Sequence, residues 1–250
     1  MILDRERFLA AVEKSCNRLK GEKGIGTLGE KSVHAALKAY FEPQSDNTEI
    51  RIGDFVADIA GEDGIIEIQT RQFSRLVKKL DCFLEYTHVT VVYPIIAKKY
   101  VRWLDPETGE LSARRVSPRK GSIYDACKEL VSIKFALDNP RFTFIAVMLE
   151  AEDIRLLDGY GKDKKKHSTK FDRVPIDILC ECRFECPRDY MMLIPPELSG
   201  RFTSKDLAKA AGISRTLAGI ALNILTYTEC VSRVGKNGRE IIYEINDPKG

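Results

Sequence analysis

The sequence predicts a mixed α/β fold, and three observations carry that expectation. Residues 1–97 read in the order α, β, β, β, α, β, with apolar residues at helical spacing giving way to short alternating runs and back again. Hydrophobic residues make up 44% and charged residues 31% of the 250, the balance of an ordinary globular chain that can bury a core. The last fifty residues add a separate pattern of helix, turn, helix and hairpin.

The first helix rests on Phe8, Val12, Cys16 and Leu19, and the glycines Gly21, Gly24 and Gly26 break it. A second helix over 28–41 turns Val33, Leu37, Tyr40 and Phe41 inward, and Pro43 follows its end. Three β-like runs cover 49–53, 54–60 and 65–70, the last two joined by a Gly61-Glu62-Asp63-Gly64 hairpin turn. An amphipathic helix over 72–86 places Phe73, Leu76, Val77, Leu80 and Phe83 on one face and leads to a buried strand over 88–93.

Beyond Pro94, runs at 100–104 and 110–116 flank Asp105-Pro106-Glu107-Thr108-Gly109, a second hairpin. A helix over 122–137 and strands over 142–149, 154–157 and 174–183 follow. Lys162, Lys164, Lys165, Lys166 and Lys170 mark a solvated loop between the last two. After Pro195-Pro196, Thr203 and Asp206 form a capping pattern for one helix, Gly212-Ile213 a tight turn, and Ser214 the cap of a second helix that buries Leu217, Ile220, Ala221, Ile224 and Leu225. Strands at 231–234 and 240–245 close a hairpin across Gly235-Lys236-Asn237-Gly238.

Composition excludes several classes. No apolar run reaches the roughly 18 residues of a membrane helix, and Asp4 and Glu6 stand where a signal peptide is basic and then apolar, so a cytoplasmic protein without a membrane partner is expected. The seven cysteines, odd in number and irregular in spacing, read mostly as reduced core residues. Cys180, Cys182 and Cys186 lack the paired C-x2-C spacing of structural zinc. No glycine-rich phosphate loop ends in Lys-Ser or Lys-Thr, which removes ATP hydrolysis. The net charge of +3 is too small to diagnose nucleic-acid binding by itself. Its distribution is uneven: 13 basic residues against 15 acidic in 1–97, 19 against 16 in 98–196, and 8 against 6 in 197–250.

The chemistry-bearing residues fall in the first half. On the helix over 28–41, Glu30 lies within about 20° of the Leu37 and Phe41 stripe, by 100° steps. Asp58 closes the alternation from Phe55, and Glu67 and Gln69 share one face of a strand whose other face is Ile66, Ile68 and Thr70. Three carboxylates brought together are costly to ionise without a cation, and oxygen ligands favour Mg²⁺ or Mn²⁺. His34, one turn from Glu30, can reach the same place; a lone helix histidine is more often structural.

Gly29-Glu30 on a helix, Asp58 at a strand end, and Glu67-Ile68-Gln69 on the next strand followed by helix and strand resemble the PD-(D/E)xK nuclease superfamily of restriction endonucleases and Holliday-junction resolvases over 27–94. The resemblance implies a restriction-endonuclease-like αβββαβ core and metal-dependent hydrolysis of DNA. Asp58 and Glu67 would hold Mg²⁺ (or Mn²⁺), Glu30 would assist, and Gln69 would position the attacking water. Gln69 stands in the place of the motif's Lys and carries no charge, which Arg71 nearby would supply. Loss of either metal-binding carboxylate is then expected to abolish cleavage and leave the fold intact. The alternative is a non-catalytic, regulatory DNA-binding protein on a degenerate nuclease fold.

The stretch 201–245 resembles a winged helix. The resemblance implies that Arg215 and Asn223 read base edges while Arg233, Lys236 and Arg239 on the hairpin grip phosphates; a protein partner is the competing use of such a module. The expected organisation is therefore an N-terminal helix (1–20), a nuclease-like core (21–97), an α/β elaboration of unassigned role (98–196) and a winged helix-turn-helix (197–250).

Overall fold

A computed structural model describes residues 3–21, 32–159 and 168–246, with side chains from 3–15 in the first stretch. The fold is mixed α/β. Helices α1 (Arg5–Gly21) and α2 (Ser32–Phe41) precede strands β1 (Thr48–Ile52), β2 (Phe55–Gly61) and β3 (Gly64–Ile68). Helix α3 (Val77–Leu84) leads to the long strand β4 (Val89–Leu104), and the two-residue β5 (Arg115–Val116) and helix α4 (Tyr124–Leu130) follow. Strands β6 (Phe142–Leu156) and β7 (Thr169–Phe184) complete a sheet of order β1-β2-β3-β4-β6-β7 with β5 beside β4. A second sheet has the order β8-β10-β9, built from β8 (Arg201–Phe202), β9 (Val231–Asn237) and β10 (Glu240–Ile245), with helices α5 (Ser204–Ala210) and α6 (Arg215–Tyr227) between β8 and β9.

The chain parts into two compact units, each assembled from three stretches: Met1–Ala60, Pro94–Ser122 and Val147–Glu181, and Gly61–Tyr93, Ile123–Ala146 and Cys182–Gly250. In the first unit α1 packs on α2, with Phe8 and Tyr40 edge to face at 5.6 Å and both buried. The Tyr40 hydroxyl donates to Glu181 at 2.7 Å. Its loss of solvent, and that hydrogen bond, push the phenol up to about 12. Arg5 forks onto Asp177 with bonds of 2.7 and 2.6 Å. Strands β1 and β2 pair antiparallel, Ile50 opposite Ala57.

In the second unit β3 and β4 run parallel, Glu67 opposite Val91, with α3 as the crossover. Gly64 opens β3 at φ +112°, where a Cβ would run into the His88 carbonyl oxygen. An aromatic file of Phe73, Phe144, Phe184 and Tyr190 fills the core, with successive ring centroids 6.2, 5.6 and 4.7 Å apart. The Glu129 carboxylate accepts from the Phe73 backbone N–H at 3.0 Å and fixes the turn into α3. Thr203 and Asp206 cap α5 reciprocally, and Ser214 accepts from the Leu217 N–H to cap α6, as the spacing predicts.

Several elements differ from expectation. The strand expected over 65–70 ends at Ile68, which places Gln69 past the regular ladder. The helix expected over 72–86 is a 3-10 turn (Phe73–Arg75) followed by α3, because Gln72 takes a left-handed turn at φ 59°. The runs at 88–93 and 100–104 are one strand, β4, and those at 142–149 and 154–157 are one strand, β6. The helix over 122–137 tightens after Leu130 into a 3-10 stretch interrupted at Ile133. Of the six cysteines with described side chains only Cys127 and Cys230 are buried, so the core reading fails for the other four.

Candidate functional site

Asp58 lies mid-strand rather than at a strand end: β2 continues to Gly61. Its Oδ2 stands 3.3 Å from His34 Nε2, with both side chains about one-fifth exposed. The structure thus brings His34 to one of the expected carboxylates. Helix α2 supplies the histidine, and β2 alternates so that Ala57 and Ile59 are buried while Asp58 faces the other way. Glu30 lies outside the described residues.

Glu67 is in the second unit, 3% exposed, and its Oε2 accepts from Lys79 Nζ at 2.6 Å. The Lys79 ammonium also lies 6.0 Å from the Phe83 ring centroid, one helical turn on. Lys79 is the residue that the sequence reading passed over. A signal was present, since at 100° per residue Lys79 lies about 40° from Phe83, at the border of the stripe of Leu76, Leu80 and Phe83 rather than opposite it. Gln69 is turned away from strand geometry: its Nε2 donates to the Arg71 carbonyl oxygen at 2.6 Å, while its backbone N–H donates to Val92 O at 2.9 Å. The strand ends at Ile68, so the face expected to carry Glu67, Gln69 and Arg71 together keeps only Glu67 within it.

Asp58 and Glu67 offer the oxygen donors that a hard cation takes. Each already faces a nitrogen group, and among the described residues no three His, Cys, Asp or Glu side chains come together at metal-binding range. The described residues therefore do not by themselves form a cation site.

The second candidate surface is residues 201–245. Helix α6 buries Leu217, Ala218, Ala221, Leu222, Ile224 and Leu225. On its outer side Arg215 donates to Glu240 at 2.7 Å, across to β10. Asn223 is half-buried and accepts from Lys134 at 3.0 Å, and the Lys134 ammonium also sits 5.4 Å from the Tyr227 ring centroid. Both side chains expected to read bases are thus engaged within the unit. Arg233, Lys236 and Arg239 are different: all three are exposed, and among the described residues their side chains carry no hydrogen bond or ion pair. Lys134, Asn223, Tyr227 and Arg233 line an open cleft of about 610 Å³.

Residues 31–185, more than half of the chain, match the family described as "Domain of unknown function (DUF8091)". The chain belongs to the DUF8091 family. An uncharacterized protein of Treponema pallidum (strain Nichols) is 28% identical over 225 residues, which cover 90% of this chain and 88% of that protein. No solved structure matches significantly. The DUF8091 match takes in α2 through β7 and holds Asp58, Glu67, Gln69 and Lys79. It stops before β8, so the helix-turn-helix and hairpin lie outside it. The treponemal similarity, at 225 residues, is too long to stop at residue 185 and runs on past the family domain. No helix among the described residues is long and apolar enough to cross a membrane.

Proposed function

We propose that this DUF8091 protein binds DNA through residues 201–245 acting as a winged helix, with the hairpin β9–β10 laid on the phosphate backbone. One observation carries the reading: Arg233, Lys236 and Arg239 project from a single hairpin, exposed and without acid partners among the described residues. A cation already paired with an acid gains little from a phosphate, whereas an unpaired one displaces condensed counterions from DNA. The hairpin is held rigidly for this, with β10 paired to β9 over Val231 to Asn237 and to β8 at Tyr243–Phe202. The engagement of Arg215 and Asn223 makes the contact one of backbone more than of base edges.

Replacement of Arg233, Lys236 and Arg239 together by Ala should weaken binding to a labelled duplex whatever its sequence. The slope of log affinity against log salt should fall by about 2 to 3 units if all three contact phosphate. An unchanged affinity and slope removes DNA as the partner of this module and leaves a protein partner as the better explanation.

A second reading, hydrolysis of the bound DNA, is favoured by the β3–α3–β4 crossover. It places a buried carboxylate, Glu67, near the carboxyl end of a parallel strand with an ammonium on the adjoining helix. The reading takes Glu67 as an oxygen donor for Mg²⁺ or Mn²⁺, a cation that would polarise a phosphate and acidify a bound water, and Asp58 as a separate acid to be tested. Lys79 supplies the positive charge that Gln69 lacks. Incubation with DNA and RNA substrates in Mg²⁺ or Mn²⁺, with EDTA and Asp58→Ala controls, separates the readings. A nuclease cuts only with the cation and loses activity in the variant, whereas a binder cuts nothing and keeps its affinity in EDTA. Under the hydrolytic reading Gln69→Lys retains or raises the rate.

A further inference from the structure

Residues 111–124 contain Arg114, Arg115, Arg119 and Lys120 and no acid. They are fixed against β4 along their length. Leu111 bridges Leu104, the Ser112 N–H donates to Trp103 O at 2.8 Å, and Val116 and Arg115 pair with Tyr100 and Val101. The Ser117 N–H donates to Lys99 O at 2.8 Å, and the Gly121 N–H to Ile96 O at 2.9 Å. Gly121 is required there, because a Cβ would lie 2.7 Å from the Ile96 carbonyl oxygen.

The cations of this arm and of the strands beside it fall into two sets. The inner set is neutralised: Arg114 donates to Glu152 at 2.8 Å, Lys99 stands 3.7 Å from Asp153, and Arg173 of β7 forks onto Asp153 at 2.5 and 3.0 Å. Glu152 and Asp153 are 8% and 3% exposed, so these pairs anchor the strands. Arg102 is used likewise, donating to Ser112 O at 2.8 Å. The outer set, Arg115, Arg119 and Lys120, is exposed, and among the described residues these three side chains have neither hydrogen bond nor ion pair.

We propose that this strand-edge arm is a second phosphate-backbone contact for double-stranded nucleic acid, independent of sequence and carried by Arg115, Arg119 and Lys120. The stretch of β4 that they lie along, residues 96–101, is about 17 Å long at the rise of a β-strand. One strand of a duplex presents a phosphate every 3.4 Å or so of axis, so about five phosphates pass along that length over about half a turn, and roughly two to three of them face the arm. Three cations held in an extended line by backbone hydrogen bonds lose little conformational entropy on meeting such a row. An anionic membrane is the lesser fit, since surface-lying segments are amphipathic helices with aromatic anchors and the arm is neither helical nor aromatic on its exposed side. The inference rests on the DNA-binding reading above but uses different residues.

The test uses the full chain, a labelled duplex of arbitrary sequence and a salt series. Arg115→Ala, Arg119→Ala and Lys120→Ala combined should lower the slope of log affinity against log salt by about 2 to 3 units, and Arg119→Ala alone by about 1. The charge-preserving combination Arg115→Lys, Arg119→Lys and Lys120→Arg should keep most of the slope. Thermal melting of each variant keeps folding separate from binding. An unchanged slope in the arm variant beside a lowered one in the wing variant overturns this inference and leaves the winged-helix reading standing. Wild-type protein that binds no nucleic acid overturns both. If phosphatidylserine vesicles bind the wild type and not the arm variant while duplex binding is equal in the two, the arm is a membrane surface and the inference falls.

Discussion

In the DUF8091 domain two acids, Glu67 and Asp153, are each 3% exposed, and each faces a cation: Lys79 for one, Arg173 and Lys99 for the other. In residues 201–245 the buried side chains are apolar apart from Thr228, and the hairpin cations face solvent. Taking an ion from water costs several kcal/mol, which a partner offsets only while both ions are present. The domain is therefore sensitive to losing one member of a buried charge pair, while residues 201–245 bury an apolar core and leave the hairpin cations in solvent. A charge lesion in the first should appear as lost stability, and in the second as altered binding.

The largest effect should come from Glu67. Glu67→Ala strands the Lys79 ammonium, on a side chain only 16% exposed, and should destabilise the protein by about 3 to 5 kcal/mol in a denaturant titration. The sequence alone led to the opposite expectation, that removing this carboxylate relieves crowding; the 2.6 Å contact with Lys79 reverses the sign. Glu67→Met with Lys79→Met should recover most of the loss, because neither ion is then buried alone. A double variant as unstable as Glu67→Ala would show that the pair is not the source.

Asp153 should give the next largest effect. Burial pushes its carboxyl up, but the Arg173 hydrogen bonds and the Arg173, Lys170 and Lys99 charges more than offset this and hold it below the ordinary carboxylate range. A group whose folded pKa is depressed contributes stability above its unfolded pKa, about 3.9 for Asp, and loses it as pH falls through the folded value. Asp153→Asn should cost about 2 kcal/mol, the loss of hydrogen bonds to a charged partner, at neutral pH. The gap between variant and wild type should close below about pH 4. A gap independent of pH would show that the side chain acts by shape and not by charge.

How far such pairs were legible differs from residue to residue. The amphipathic stripes of α2, α3 and α6 and the caps at Thr203 and Ser214 were readable because they are local, set within one or two turns. Lys79 was readable in principle at the border of its helix's apolar stripe, but only tertiary structure shows that Glu67 meets it. The end of β3 was not readable: Ile68 and Gln69 alternate as a strand should, and the early stop follows from the left-handed turn at Gln72 that brings Phe73 under Glu129. The length of β4 was hidden by Pro94, which reads as a breaker although the strand continues through it. Cys180 and Cys186 looked like core residues, yet a side chain so small fits a solvent-facing stretch equally well.

Within the C-terminal module, caps should outweigh charges. Ser214→Ala removes the acceptor for the Leu217 N–H at the start of α6 and should cost about 1 kcal/mol in thermal or chemical unfolding. Its DNA affinity, measured well below the melting transition, should stay at the wild-type value. A loss of affinity in the folded variant would mean that the α6 N-terminus itself contacts the ligand.

Glu240 gives the smallest expected change in stability and the sharpest separation of the two regions. Its carboxylate meets Arg215 at 2.7 Å, with the side chains 33% and 58% exposed, so solvent screens the pair and Glu240→Gln should cost less than about 1 kcal/mol. The substitution keeps the shape of the side chain and removes an acid from the hairpin that carries Arg233, Lys236 and Arg239. Arg215, at the first position of α6, is then a cation at the positive end of a helix with no ion pair among the described residues, and a phosphate becomes its best partner. DNA affinity should rise, and the log affinity against log salt plot should steepen by up to about 1 unit as a fourth contact forms. The same exchange in the family domain, Glu67→Gln, should change stability and leave the salt slope alone. If Glu240→Gln weakens DNA binding, the carboxylate was holding Arg215 in position for the ligand, and charge in the module is organised by its acids much as it is in the domain.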